Sequence, residues 1–360
     1  MADATSSPPY EIKVGKKKIE DPDFLSLVVE SDMFQPCMAA IVVSHQGGVY
    51  GDIKVGDAVE IKIGDDKETI YEGEVVGLEA TYKGGEKTRL LIRAMNKFHR
   101  LLRFRKSLTF TDKSDQQILN TVVGDAGLKL EWKHAKSITY KHVYQHNQSD
   151  MEFVRMRAAR LGCHVWCEGD TIHIQEPDLQ DEPLAKLKIN EPGGGEEKQT
   201  SIKAFTPRLN SSHIVKTVTV KGWNPETKEL IVGQAQVQSS KLGTQTVVAG
   251  AGKLGEEETF TVDHPIWSKQ EADALAKARL TDLSLTYITG ECELTGNPKM
   301  KLGKVIEIEA NSEPDTKADD PFNGRYYIMG VTHRYFVSTA REGGFTTILR
   351  LARDAQKFSG

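Results

Sequence analysis

The chain has 360 residues, more than one ordinary hydrophobic core accommodates, and this length predicts two to three domains. The formal net charge is −4 with acidic and basic residues mixed throughout, so no overall basic field exists that would attract nucleic acid. No apolar run is long enough to cross a membrane, and residues 1–9 lack the basic and apolar regions of a signal peptide, so synthesis in the cytoplasm is expected.

The beginning and the end of the chain share a sequence pattern. The segment 55–61, VGDAVEI, has a counterpart in the segment 302–308, LGKVIEI. Each is followed in the same order by a glycine, an aromatic residue five positions later and a glycine pair: Gly77, Tyr82 and Gly84-Gly85 in the first copy, and Gly330, Tyr335 and Gly343-Gly344 in the second. Two unrelated amphipathic hairpins would share part of this pattern, whereas a duplicated β unit explains all of it.

The middle of the chain, residues 107–176, predicts two consecutive helix–strand units that form a small α/β module. Each helix is predicted to begin at a capping box and to end at a glycine, because a serine followed three residues later by Gln or Glu satisfies the free amides of the first turn. The first unit has Ser114, Gln117 and Gly127, followed by the strand 128–132, and the second has Ser149, Glu152 and Gly162, followed by the strand 163–167.

Three further elements are predicted before the second copy of the β unit. Residues 191–197 are rich in glycine and glutamate and predict a loop. Residues 218–231 predict a strand, a turn at Asn224-Pro225 and a second strand. Ser268 and Glu271 predict the start of a helix that runs from Lys269 to about Leu285.

The four cysteines do not predict a disulfide framework. Cys163 and Cys167 are close in sequence, but a zinc site needs two further ligands at matching spacing, and Cys37 and Cys292 stand alone. In a strand, Cys163 and Cys167 share one face, which suits small apolar side chains packed inward. We therefore interpret them as core residues.

No catalytic, cofactor-binding or metal-binding site is predicted. His142 and His146 are four residues apart without an acidic base after them, and His333 lies in a predicted strand beside Arg334, where a structural hydrogen bond is the favoured role. Asp32 and Asp57 have no evident partner in the sequence. The basic clusters are Lys16-Lys17-Lys18 and the group Arg100, Arg103, Arg105 and Lys106, and we interpret both as solvated strand faces rather than as a phosphate-binding track.

Four segments in order carry a family resemblance: 110–115 (FTDKSD), 144–154 (YQHNQSDMEFV), 222–225 (GWNP) and 326–335 (YYIMGVTHRY). They resemble the late control D proteins of contractile phage tails and the N-terminal half of VgrG, the spike protein of type VI secretion systems. The resemblance extends from about Tyr10 to Arg353. It implies a baseplate hub, a structural protein rather than an enzyme.

The resemblance and the patterns together predict an α+β fold that is mainly β. We expect two tube-forming antiparallel β-barrel-like domains related by internal duplication, with an inserted small α/β module and a helix insertion, in a ring-forming homotrimer. The predicted boundaries are residues 1–100 for the first tube-like domain, 101–180 for the α/β module, 181–204 for a linker, 205–245 plus 297–355 for the second tube-like domain, and 246–296 for the loop and helix insertion.

The resemblance also implies partners. Three chains with two similar domains each would present six domains to a hexameric inner tube ring and would dock a trimeric spike. Baseplate wedge and adaptor proteins, and cargo in the tube lumen, are further expected partners, with no nucleic-acid specificity, no cofactor and no membrane span. Only seven residues follow Arg353, so the spike is expected on a separate polypeptide, in a particle that can be released from the cell.

Two other functions stay open at this point. Some phage hubs carry cell-wall hydrolases, so a cell-wall-binding or hydrolytic tail accessory protein is the alternative in the enzyme class. An unrelated β-rich binding protein is the third, and it would be a monomer in solution.

Overall fold

The computed structural model describes residues 8–134, 137–189, 200–212, 214–237, 239–251, 256–262, 265–310, 320–337 and 344–356. Strands make up most of the regular structure in these ranges, and the prediction of a mainly β fold with a few helices is confirmed. None of the helices in the described ranges is long and apolar enough to cross a membrane.

The strands are β1 (Tyr10–Val14), β2 (Lys17–Lys18), β3 (Phe24–Asp32), β4 (Met38–Ser44), β5 (Ala58–Ile63), β6 (Glu68–Thr81), β7 (Arg89–Met95), β8 (Arg105–Ser114), β9 (Lys129–Lys133), β10 (Thr139–Ser149), β11 (His164–Glu168), β12 (Thr171–Gln175), β13 (Lys186–Lys188), β14 (Ile202–Leu209), β15 (Val215–Asn224), β16 (Glu229–Gln236), β17 (Gln245–Thr246), β18 (Glu256–Thr261), β19 (Ile288–Thr295), β20 (Val305–Glu309), β21 (Gly324–Phe336), β22 (Gly344–Arg353) and β23 (Ala355–Gln356). The helices are α1 (Asp115–Asp125), α2 (Asp150–Arg160), α3 (Val247–Ala251) and α4 (Lys269–Ser284), with 3₁₀ turns at Gln46–Gly48 and Lys97–Leu102.

Thirteen of the described strands form one sheet that contains two units with the same strand order. In the first unit the spatial order is β3-β4-β7-β6-β5-β1, with β2 beside β1. In the second unit it is β14-β19-β22-β21-β20-β13. When the six strands of each unit are counted in chain order, strands with the same count occupy the same position in the sheet. The units differ at one edge, because β1 is antiparallel to β5 whereas β13 is parallel to β20.

The two units also share their irregularities. A β-bulge separates Val75 from Gly77 in the pairing of β6 with β7, and another separates Ile328 from Gly330 in the pairing of β21 with β22. A second pair of bulges lies at residues 24–26 of β3 and at residues 202–204 of β14. Bulges fix the register of a strand pair, so each position of one unit has a defined counterpart in the other. Gly77 corresponds to Gly330 on this basis.

The α/β module has a core of its own. The ribbon of β8 and β10 and the sheet β11-β12-β9 pack with α1 and α2 around apolar side chains that include Phe110, Phe153 and Cys163. Both predicted capping boxes are present, because the side chains of Ser114 and Ser149 accept hydrogen bonds from the third residue of each helix. In chain order, α1 is followed by β9 and α2 is followed by β11.

The region between β14 and β19 is arranged differently from the predicted domain boundaries. The predicted second tube-like domain, 205–245 plus 297–355, includes β15 and β16, but these strands pair with β18 and pack on α4 in a separate small core. The predicted linker 181–204 contains β13 and the start of β14, which belong to the large sheet. The predicted turn at Gly343-Gly344 and the loop 191–197 lie at least partly outside the described residues.

Candidate assembly interface

The two units are joined within the chain by antiparallel pairing of β21 with β3. The ladder runs from Gly330 opposite Asp32 to Phe336 opposite Ser26. Alternate side chains of β21 are covered there, as expected for a strand with one face on a core: the exposed fractions of Val331, His333 and Tyr335 are 3%, 4% and 4%. This strand pair is called the in-chain junction below.

Tyr335 anchors the in-chain junction. Its ring centroid lies 5.3 Å from that of Tyr10 and 5.6 Å from that of Phe24, and its hydroxyl donates a hydrogen bond of 2.9 Å to the carbonyl of Pro8. Arg350 of β22 forms an ion pair with Asp32 across Gly330. A glycine between the two strands leaves room for the arginine to reach the aspartate. Asp32, which has no evident partner in the sequence, therefore has one in the fold.

His333 is a buried residue of the same junction. Its Nδ1 lies 3.0 Å from the hydroxyl oxygen of Thr347, and its ring stacks on Phe345 with 5.5 Å between centroids. Burial lowers the pKa of His333 to about 4, so the imidazole is neutral at physiological pH. No acidic partner is described beside it, and this arrangement matches a hydrogen-bonding role.

The counterpart of β21 in the first unit has one uncovered edge. The pairing of β6 with β5 ends at Glu74. From Gly77 onward, the edge of β6 that does not pair with β7 carries no strand in the described part of the chain. Residues 78–81 are all exposed, and Tyr82 is 74% exposed, whereas its counterpart Tyr335 is buried. Both faces of this part of β6 are therefore exposed, whereas one face of the corresponding part of β21 is buried.

The counterpart of β3 in the second unit is β14. Its outer edge has a bridge between Ile189 and Ile202 at its beginning, and beyond that bridge no strand in the described ranges pairs with it. The amide of Asn210 donates to the carbonyl of Tyr287 on the β19 side, so the backbone groups of Phe205, Pro207 and Leu209 point to the outer edge. Pro207 has no amide hydrogen to offer, and proline is confined to edge strands or bulges for this reason. Pro207 is the sequence signal that identifies β14 as an edge strand, and sequence reasoning missed it.

The four cysteines of the chain are buried. Cys163 and Cys167 are buried in the core of the α/β module, and burial raises the pKa of each thiol to about 12. Cys37 and Cys292 are buried as well, with the pKa values raised by burial to about 11 and about 12. Buried thiols with raised pKa values are poor nucleophiles and poor metal ligands. Among the described residues no group of three His, Cys, Asp or Glu side chains is placed to hold a metal ion.

The basic clusters form ion pairs and hydrogen bonds with neighbouring groups. Lys17 lies 3.5 Å from Asp52, Arg105 lies 3.0 Å from Glu152, Lys106 lies 2.6 Å from Asp150, Arg100 binds Glu74 and Arg103 contacts His99. Arg100 belongs to a 3₁₀ helix, not to the predicted strand face. His142 and His146 are exposed on β10, and the Asp57 carboxylate accepts a hydrogen bond of 2.8 Å from the amide of Lys54.

A cleft of about 810 Å³ lies where the two units and the α/β module meet. Tyr71 of β6, Cys167 of β11 and Met300 line it. The charged side chains of its lining have both signs: Lys13, Lys97, Lys301, Glu60, Glu72, Glu168 and Asp170. This mixture favours neither an anionic nor a cationic ligand. The two uncovered strand edges are therefore the better candidates for function.

Comparison with known proteins begins with families. The family model of the Alg8 N-terminal domain matches residues 51–336, which is most of the chain. The chain belongs to this family. The matched span begins before β5 and ends at the last residue of β21, so it includes the in-chain junction strand β21 and both uncovered edges. The matching family is neither late control D nor VgrG. No curated protein sequence matches the chain.

This member of the Alg8 N-terminal domain family has the fold of phage tail proteins. The tail protein from Neisseria meningitidis MC58 superposes with a TM-score of 0.70 at 14% identity, covering 97% of both chains. The 43 kDa tail protein of prophage MuSo2 from Shewanella oneidensis gives 0.71 at 12% identity, covering 98% of this chain and 100% of the other. The E. coli c3393 protein, a type VI secretion component similar to the T4 tail proteins gp27 and gp5, gives 0.61 at 12% identity, covering 97% and 77%.

Proposed function

We propose that the protein is the baseplate hub of a contractile phage tail or a phage-like injection system. Its fold, shared along the whole chain with two phage tail proteins, is the observation that carries this proposal. The resemblance to late control D and VgrG proteins seen in the sequence supports the same role. Its function in this proposal resides in its interfaces.

The hub is a homotrimer with six similar β units. The common strand order and the shared bulges of the two units support their origin by duplication, and residues of the α/β module and of the β15–α4 insertion form separate domains beside them. Three chains with two units each match a hexameric inner tube ring on one side and a trimeric spike on the other. Wedge and adaptor proteins are further partners, and cargo passes through the lumen.

The uncovered edges support a cyclic assembly rather than a twofold dimer. They belong to different strands, β6 and β14, and contacts between two different surfaces are heterologous. Heterologous contacts form closed rings when their rotation closes, whereas a twofold dimer uses one surface twice. A ring of three chains uses both edges of every chain.

Mass photometry and negative-stain electron microscopy of the purified chain test the proposal. We expect particles of three times the 40.0 kDa chain mass, with threefold averages that show six similar densities. A stable dimer with twofold symmetry, or a chain that stays monomeric at every concentration, would contradict the trimer.

A deletion strain tests the role in the particle. Without the hub, no complete particles are expected, because the centre of the baseplate is missing when the tube begins to grow. Normal sheathed, contractile particles in electron micrographs of that strain would rule the role out. Turnover of purified cell wall by the protein would instead favour the hydrolytic accessory.

A further inference from the structure

We infer that the cleft between the two units and the α/β module binds an extended peptide segment that carries one acidic and one basic side chain. The inference goes beyond the proposed hub function and does not depend on the trimer. The cleft volume of about 810 Å³ lies within the range of roughly 300–1,000 Å³ that is usual for ligand sites, and such sites occur preferentially where domains meet. A few residues of an extended chain fit this space.

A buried hydroxyl without a partner belongs to the wall of the cleft. Tyr71 lines the cleft and is 4% exposed, and its hydroxyl has no hydrogen-bond partner among the described atoms. Burial raises the pKa of Tyr71, so the hydroxyl keeps its proton and can donate it in a hydrogen bond. Leaving a buried donor unsatisfied costs free energy, and an acceptor that enters from outside removes this cost. A peptide carbonyl is such an acceptor.

The surroundings of this hydroxyl suit a peptide with an apolar side chain. Gly73 also lines the cleft, and a Cβ at Gly73 would clash with the hydroxyl of Tyr71, so the glycine is required for the position of the hydroxyl. Met300, Leu302 and Val331 form an apolar part of the same wall. An apolar side chain of the peptide would pack against this part.

Most charged side chains of the cleft already have partners within the chain. The ion pairs are Lys13 with Glu11 at 2.6 Å, Glu60 with Lys62 at 2.7 Å, Lys301 with Glu68 at 2.8 Å and Asp170 with Lys129 at 2.9 Å. The carboxylate of Glu168 accepts a hydrogen bond of 3.1 Å from the indole of Trp166. Lys97 and Glu72 line the cleft as well, and neither forms an ion pair in the described ranges. One positive and one negative charge therefore remain for a ligand.

These two charges favour a peptide over a nucleotide. A nucleotide needs several cations for its phosphates and an aromatic face on which its base stacks. Trp166 offers no such face, because it is 5% exposed and stacks on His173 with 5.0 Å between ring centroids. A peptide with one acidic and one basic side chain complements both Lys97 and Glu72, and its backbone supplies the acceptor for Tyr71.

Calorimetric titration with defined peptides tests the ligand class. The probes are acetylated and amidated pentapeptides with a central leucine, flanked by glutamate and lysine in both orders, and the matched controls carry two glutamates or two lysines. The better of the two mixed-charge peptides should bind about ten-fold more tightly than either control, because each control places a like charge beside Lys97 or Glu72. Equal affinity for all peptides, or no dissociation constant below about 5 mM, overturns the inference. Binding of chitotriose without binding of the peptides overturns it too and assigns the cleft to a carbohydrate.

Substitution of Tyr71 tests the role of its hydroxyl. Tyr71→Phe should weaken binding of the mixed-charge peptide about ten-fold, and the unliganded variant should melt at a higher temperature than the parent, because an unsatisfied buried donor is removed. The matched control is Tyr326→Phe, since the hydroxyl of Tyr326 donates a hydrogen bond of 2.6 Å to the carbonyl of Phe322. This control should melt at a lower temperature and bind the peptide as the parent does.

Substitution of the two free charges locates the peptide. Lys97→Gln and Glu72→Gln should each weaken binding about two- to five-fold. Lys141→Gln is the control, because Lys141 lies outside the cleft and pairs with Glu226 at 2.5 Å, and it should leave the affinity unchanged. Unchanged affinity in Tyr71→Phe, Lys97→Gln and Glu72→Gln alike would place the peptide elsewhere and overturn the site.

Discussion

Tyr335 and Tyr82 offer a matched pair of substitutions at corresponding positions of the two units. Tyr335 is 4% exposed and packs between the rings of Tyr10 and Phe24, whereas Tyr82 is 74% exposed in the single chain. Truncating a buried aromatic side chain removes its burial and leaves a cavity, at a cost of about 3–5 kcal/mol. We expect Tyr335→Ala to weaken the in-chain junction by about this amount. Tyr82→Ala should change the stability of the monomer by less than about 0.5 kcal/mol, because surface side chains contribute little.

Hydrogen exchange at a concentration that keeps the chain monomeric measures both effects. A loss of 3 kcal/mol or more lowers the protection of the amides that open with the junction by about 100-fold or more, so peptides of β3 and β21 report it. The Tyr82→Ala chain should keep its protection within about three-fold of the parent and should lose trimer formation instead. If the two variants gave equal protection in β3 and β21, burial at the junction would not be what joins the units.

Three further predictions concern buried groups. The pKa of His333 is lowered to about 4, so the unfolded chain takes up the proton first as the pH falls. The contribution of His333 to the free energy of unfolding is complete above about pH 6.5 and should fall by about 2 kcal/mol between pH 7 and pH 5. Urea unfolding of His333→Asn should lack that part of the pH dependence. Asp115 and Arg157 form a buried pair at 2.5 Å, so Asp115→Ala should cost about 3–5 kcal/mol, and Asp115→Leu with Arg157→Met should melt at a higher temperature than the single variant. A Cβ on Gly73 would lie 2.5 Å from a backbone carbonyl oxygen, so Gly73→Ala should cost about 1–3 kcal/mol in thermal unfolding, whereas Gly84→Ala, with open space around it, should be neutral.

The candidate interface was only partly predictable from the sequence. The sequence predicts Gly77 and Tyr82 as counterparts of Gly330 and Tyr335, because glycine and aromatic spacing is a local pattern. Their difference in burial was not predictable, since it depends on whether another strand covers the edge. β3 covers β21 within the chain, and no described strand covers the second half of β6.

The sequence by itself determined the helices of the α/β module. The capping serines Ser114 and Ser149 and the glycines after each helix act within a few residues, so local chemistry is sufficient there. Only the tertiary structure decided which sheet the strands β15 and β16 join. A Cβ on Gly233 would lie 2.5 Å from the carbonyl oxygen of Ala272, so α4 packs directly on the backbone of β16. The hairpin of β15 and β16 is therefore covered by α4. No local sequence pattern determines which of several distant elements packs on a given strand.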